Sequence, residues 1–327
     1  MQMGDRDQIA ALYRRFAVRE ARGISPLYES FALAVAREPA LLDRLDSLPQ
    51  GKAQPNLLFA ALRHLKGLPR DTDHFLALAQ DHWDDVASVM RRRSTQTNEP
   101  GRCATLLPLL AALPQPLALL EVGASAGLCL LPDRYGYRYL LEGAEHSVLP
   151  PNATQDTPVF PCRVGHGTPL PDGLPRIAWR AGLDLNPLDL RDPAQCAWLE
   201  TLVWPEQAAR AERLRAAIAL ARLDPPRVVR GDLNRDLAGL AAEVPPEATL
   251  VVFHSAVLAY LQPDARARFR EAVRSLPAIW ICNEAASIFP DLTAGLGQDT
   301  DDGRFVLLED GGARGFAGPH GQTLDWL

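Results

Sequence analysis

Ten residues, Leu119-Leu120-Glu121-Val122-Gly123-Ala124-Ser125-Ala126-Gly127-Leu128, restrict the fold more than any other part of this sequence. An apolar strand closes on an acid, turns through small side chains and re-enters an apolar segment. Small residues let a backbone approach a ligand closely. A helix starting after such a turn offers free N–H groups to an anion. The pattern misses the dinucleotide form G-x-G-x-x-G, because Ser125 and Leu128 stand where its second and third glycines belong. It reads E-x-G-x-x-x-G. A tight strand–helix turn that holds no ligand fits the same residues.

Around this turn the sequence predicts alternating strands and helices. Strands are expected at Leu117 to Val122, Arg176 to Leu183, Arg227 to Arg230, Thr249 to Phe253 and Ala278 to Cys282. A closing hairpin is expected from Arg304 to Leu308 and Ala313 to Phe316, across Asp310-Gly311-Gly312. Helices fit at Asn98 to Leu113, Cys196 to Val203, Glu206 to Leu223 and Ala265 to Leu276. Such alternation predicts a mostly parallel sheet covered on both faces. Residues 132–175 hold eight prolines and read as an insertion, with one small strand at Tyr135 to Leu141. Before residue 96 the apolar spacing is helical throughout, including Asn56 to Leu65 and Asp73 to Met90. The expected division is a helical lobe over 1–95 and an α/β domain over 96–327.

Composition removes several function classes. The net charge is −6, and 32 of the 34 basic residues are arginine. There is no overall basic stripe of the kind phosphate neutralisation favours, so a nucleic-acid partner is not expected, although Arg91-Arg92-Arg93 forms a local patch. No apolar run approaches the length of a membrane span. Met1 to Ala21 is charged and lacks the apolar core of a secretory signal, which gives a cytoplasmic expectation. The five cysteines and seven histidines are scattered. Reduced, buried thiols and no metal site are expected.

E-V-G-A-S-A-G resembles the first motif of class I S-adenosylmethionine-dependent methyltransferases. The likeness implies a Rossmann-like methyltransferase fold, with a mostly parallel seven-stranded sheet and helices on both faces. It implies S-adenosylmethionine as cofactor. Gly123, Ala124, Ser125 and Gly127 would pass under its methionine part, with Glu121 orienting the turn. Ser125 departs from the family's usual central glycine. Arg180 to Pro187 resembles the second strand end, where Asp184, with Leu185, would meet the ribose; a turn cap is the alternative. The distance from Gly123 to Asp184 exceeds the usual twenty or so residues and requires the insertion. Glu142 has the better spacing but the poorer local pattern. Val228 to Leu233 resembles the third strand end, with Asp232 and Leu233 beside adenine, or else forming a plain turn. Val251 to Leu258 resembles the fourth, whose residues, His254 among them, would face the cofactor at its transferred methyl group. Nearly the whole chain also resembles an uncharacterised bacterial family, domain of unknown function 2332, through Thr97-Asn98-Glu99, Gly101-Arg102, the turn, Gly182 to Leu190, Val203 to Gln207 and Phe253 to Leu261. Asp224-Pro225-Pro226 looks like an amino-methyltransferase signature but precedes the third strand, and reads as a helix stop.

Methyl transfer needs alignment and, for some acceptors, removal of a proton. His254 is the first candidate base, because a free imidazole titrates near neutrality. Glu284 ends the fifth strand and is the second. Glu99, Arg102, Ser255 and Tyr260 are candidates for the acceptor side, with His320 a weaker one. Each also has a plain structural use, as a cap, an ion pair or a strand-end hydrogen bond. Two function classes follow. One is a methyltransferase acting on a small-molecule or protein acceptor. The other is a non-catalytic cofactor-binding regulatory module that retains the fold.

Overall fold

Strands buried on both faces are written as largely apolar runs, and in the computed structural model Leu117–Val122, Thr249–Ser255 and Ile279–Ala285 are three such strands of one sheet. The structure describes residues 5–296 and 303–327. The chain forms two compact units, Met1–Thr97 with Pro193–Glu212, and Asn98–Asp192 with Arg213–Leu327.

The first unit is helical. It holds α1 (Asp5–Phe16), extended by a π-helical turn over Ala17–Ala21, then α2 (Pro26–Val35), α3 (Pro39–Asp46), α4 (Pro55–Lys66), α5 (Thr72–Asp81) and α6 (Trp83–Arg92). Proline opens α2, α3 and α4, where its missing N–H costs nothing. Ser25 and Asp71 cap α2 and α5 by accepting from the Tyr28 and His74 amides, at 3.1 and 2.8 Å. The sequence predicts one helix from Asp73 to Met90; it breaks at His82, whose φ of −118° and ψ of 25° are not helical. Tyr13, Phe31, Phe59 and Phe75 are buried in this core.

The second unit opens with α7 (Cys103–Ala112) and carries one sheet. Its strands are β1 (Leu117–Val122), β2 (Gly136–Leu141), β3 (Ala144–Val148), β4 (Val159–Val164), β5 (Ile177–Asp184), β6 (Val228–Arg230), β7 (Thr249–Ser255), β8 (Ile279–Ala285), β9 (Phe305–Glu309), β10 (Gly312–Ala317) and β11 (Thr323–Trp326). The order across the sheet is β3-β2-β4-β11-β10-β9-β8-β7-β1-β5-β6. The block β8-β7-β1-β5-β6 is wholly parallel. β9 then runs against β8, and β10 against β9. The turn between them holds Asp310 and Gly311 at positive φ, as a two-residue hairpin requires.

The expected seven strands are therefore eleven. The insertion is not mainly loop: it supplies β2, β3 and β4, and β11 joins them to the rest. Pro161 hid β4, because proline is rare inside a sheet. Here it is accommodated because β11 meets β4 only at Arg163 and Val164, so Pro161 has no β11 partner in the ladder.

Five further helices follow among the described residues. α8 (Pro193–Thr201) belongs to the helical unit, and α9 (Ala208–Leu223) begins there. Trp198 and Trp204 anchor this return, donating to the Ser94 carbonyl at 3.0 Å and to Asn56 Oδ1 at 2.9 Å. α10 (Leu233–Ala241) and α11 (Pro263–Arg274) cover one face of the parallel block, and α12 (Pro290–Thr293) follows β8. Leu120, Val122, Leu183, Val252, Phe269 and Trp280 form the core beneath them. Among the described residues, no helix is long and apolar enough to cross a membrane.

All five cysteines are free and buried. Burial pushes the Cys162 thiol up to about 12, and Cys282 well above its ordinary value. Cys129 is raised first by a hydrogen bond with Cys103 and then by burial. Only the thiolate reacts. A thiol-titrating disulfide reagent at pH 8 should therefore label none of the five in the native protein and all of them in denaturant. Fast labelling of two or more native thiols contradicts this packing.

Candidate functional site

Open α/β sheets bind ligands outside the carboxyl ends of their strands, where the strand order reverses. Here that point lies between β1 and β7, because β5 and β6 extend one way from β1 and β7 and β8 the other. The turn after β1 sits on it. Gly123, Ser125 and Gly127 all have positive φ, 72°, 53° and 76°. The Gly123 and Ala124 amides donate to the Leu183 carbonyl at 2.8 and 3.3 Å. The Ser125 amide donates to Asp184 Oδ2 at 2.8 Å, and the Asn186 amide to Asp184 Oδ1 at 2.7 Å. The bend lies close against β5: a Cβ on Gly182 would stand 2.4 Å from that of Ala124. Gly123 is also covered, since an added Cβ would meet a Val257 methyl at 2.4 Å.

The helix expected after the turn is absent. Leu128–Leu130 is one 3-10 turn, and Pro132 begins another. The Leu128 amide donates to Asn98 Oδ1 at 2.9 Å. The anion site of a helix N-terminus is therefore not available at this place.

Asp184 is half-buried and carries two amides, which leaves about two of a carboxylate's four acceptor positions. Leu185 beside it is 62% exposed. Asp232 caps α10, accepting from the Asn234 amide at 2.8 Å, and its own amide donates to Asp236 Oδ2 at 2.6 Å. Leu233 is the first residue of that helix.

Successive residues of a strand face opposite sides, and this separates the remaining candidates. His254 points toward α11 and is wholly buried. Its Nδ1 lies 2.8 Å from Glu284 Oε1, and its Nε2 lies 3.0 Å from the Trp280 indole nitrogen. An indole N–H can only donate, so Nε2 accepts and the imidazole carries its proton on Nδ1, donating to Glu284. The same Glu284 oxygen accepts from the Val257 and Leu258 amides at 2.8 and 3.1 Å. Neither ring nitrogen is left for an acceptor's proton. In this geometry the pair locks β7, β8 and the segment after β7 together.

The other face holds a different set. Arg102, buried, donates to the carbonyls of Ser255 and Pro319, both at 2.9 Å. Asn283 donates to the Ser255 hydroxyl at 3.0 Å. Glu99 caps the 3-10 turn at Pro100–Arg102, accepting from the Gly101 amide at 3.0 Å. Glu121 is buried with Arg102 and Cys129 near it; burial, then the Cys129 sulfur, raises its carboxyl well above the ordinary range, against Arg102. Glu121 Oε2, Ser125 Oγ and Asn283 Oδ1 are buried without a hydrogen-bond partner. Ala256, after Ser255, is a second strained residue, with φ 58°. Tyr260 is 71% exposed on the segment after β7, and His320 sits in the loop whose Pro319 carbonyl holds Arg102.

Asn98 and Asn283 were not among the sequence candidates. Asn98 reads from sequence as a cap of its own helix, but it serves the Leu128 amide across 30 residues. Asn283 was legible in principle, since it shares Ser255's face by the two-residue period.

These features define a mixed α/β unit with a large, mostly parallel sheet and a buried polar cluster where the strand order reverses. The chain belongs to a bacterial family whose description reads "Uncharacterized protein conserved in bacteria (DUF2332)", and whose family model matches residues 10–326. No curated protein and no solved structure matches it.

Two measurements test this geometry. A carboxyl raised in the folded state favours folding below its unfolded pKa and opposes it increasingly as pH rises toward the folded value. Glu121→Gln should therefore raise the melting temperature at pH 8 and lose that advantage near pH 4. Equal melting temperatures at pH 8 would show a solvated Glu121. His254→Ala should cost about 2–4 kcal/mol by denaturant titration, because it orphans the buried Trp280 N–H and empties a ring-sized space in the core, while Glu284 keeps its two amide donors. A cost under about 1 kcal/mol would mean the network is not formed.

Proposed function

We propose that the second unit binds S-adenosylmethionine against the carboxyl ends of β1 and β5 and transfers its methyl group to a small-molecule or protein acceptor. The observation that carries this reading is the place of the turn. A bend of small residues with three positive φ values falls at the switch point of a parallel block ordered β6-β5-β1-β7-β8, and Asp184 is tied to it. Its resemblance to the first methyltransferase motif supplies the cofactor class. Gly123, Ala124, Ser125 and Gly127 line the cofactor's methionine end, with Glu121 beneath. Asp184 offers its remaining acceptor positions to the ribose, with Leu185 beside it. Asp232 and Leu233 border the adenine.

The chemistry on this reading is alignment of an acceptor with the sulfonium carbon. His254 and Glu284 act as positioning residues through the Val257 and Leu258 amides, and not as the base. Arg102, Ser255 and Tyr260 stand on the acceptor side.

One observation favours the alternative, a cofactor-binding regulatory module without catalysis. Val257 covers Gly123, and the best proton-handling pair is internally satisfied. Turnover separates the two readings once binding is measured.

A ligand that binds only the folded state at one hundred times its Kd stabilises it by about 2.7 kcal/mol. S-adenosylmethionine and S-adenosylhomocysteine should each raise the melting temperature and give heat in titration calorimetry, whereas NAD should not. Asp184→Ala should reduce the shift. Silence from both adenosyl ligands overturns the proposal. Binding without methyl transfer to any acceptor in a labelled-methyl screen selects the regulatory module.

A further inference from the structure

A concave site lies in the same unit, between α11 and the segment that follows β8. It is a groove of about 530 Å³, within the range of small-molecule sites. Arg266, Arg270 and Arg274 follow one another at four-residue spacing, so one face of α11 presents three guanidinium groups to it. Glu271 and Asp291 are the acids of the wall, which leaves a net positive lining. Ile288 and Phe289 form its apolar side.

Arg270 is the centre of this site. Its guanidinium lies 5.7 Å from the Phe289 ring centroid. Its Nη1 donates to Asp291 Oδ2 at 2.6 Å, so a carboxylate already occupies one edge of the group. The Nε is buried and has no hydrogen-bond partner. Being buried, it is closed to the groove, so a ligand's carboxylate meets the terminal Nη groups of Arg270 and Arg274. Asp291, which holds Arg270 Nη1, is more than half exposed and so open to displacement by such a carboxylate. Arg266 spends its Nε on the Leu258 and Leu261 carbonyls, which fixes it at the end of the groove. Among the described residues no carboxylate forms an ion pair with Arg274, although Asp291 feels its charge.

We propose that this groove binds a small organic carboxylate with an apolar body. Its carboxylate engages Arg270 and Arg274 in place of the Asp291 carboxylate, and its apolar part lies against Phe289 and Ile288. Asp291 is then an internal competitor that fills the site until the ligand arrives.

Titration calorimetry on the full chain with octanoate, octanamide and inorganic phosphate tests this. Octanoate should bind at least tenfold more tightly than octanamide, and phosphate should not displace it at equal concentration. Asp291→Asn should tighten octanoate binding about threefold or more, because the competitor is neutralised while the fold keeps its shape. Arg270→Gln should weaken it at least tenfold. Arg274→Gln, at an exposed position that does not hold the fold, should weaken it about threefold. Equal affinity for octanoate and octanamide, phosphate binding as tight as octanoate, or unchanged or weaker binding in Asp291→Asn overturns the proposal.

Discussion

Asp184 joins the ends of three strands through its carboxylate and its main-chain carbonyl. Its two carboxylate oxygens hold the Ser125 and Asn186 amides, and its carbonyl receives the Gly231 amide at 2.9 Å. β1, β5 and β6 therefore finish in one fixed relation. The balance of energies explains how Ser125 tolerates a left-handed backbone. That conformation costs a non-glycine residue about 1–2 kcal/mol. A hydrogen bond to a charged group returns about 1.5–3 kcal/mol. The bend is therefore held by the same group that any ribose would have to share.

Strand parity decides what the residues after β1 and β7 can do. His254 and Ser255 are neighbours in sequence and belong to different chemical neighbourhoods. On the α11 face His254, Glu284 and Trp280 satisfy one another. On the opposite face the polar set is incomplete, with unpartnered atoms on Glu121, Ser125 and Asn283. Native proteins rarely leave buried polar atoms unpaired. Three of them at strand ends, beside two strained non-glycine residues, is the pattern expected where polar ligand groups or water complete the network.

The parallel block was legible because β1, β7 and β8 are apolar and buried on both faces and β5 is buried toward its end, and the hairpin was legible through Asp310-Gly311. The four added strands were harder for separate reasons. β2 was read as a lone strand, without partners. β3 runs Glu145-His146-Ser147 along an exposed flank, β4 contains Pro161, and β11 is only four residues long. None of these carries the long apolar run that identifies a central strand. The missing helix after Gly127 had a visible cause in Pro132, but Leu128 to Leu131 alone reads equally as helix or turn. α10 is legible only through its cap Asp232, a residue that the methyltransferase resemblance assigns to the cofactor instead. Among the site residues, position on the sheet followed from strand ends, whereas hydrogen-bond saturation of His254 depended on Trp280, 26 residues away, and on no local signal.

The network that withdraws His254 from proton transfer also sets access to the glycine turn. Glu284 holds the Val257 and Leu258 amides, and this places the Val257 methyl groups over Gly123. Arg266 then ties the carbonyls of Leu258 and Leu261 to α11. The segment after β7 is thus fastened at its amides by β8 and at its carbonyls by α11. A ligand that needs more room at Gly123 must move a segment held from both directions, and one that fits beside Val257 meets a surface already rigid. The chemistry available at β1 is therefore set as much by β8 and α11 as by the small residues of the bend itself.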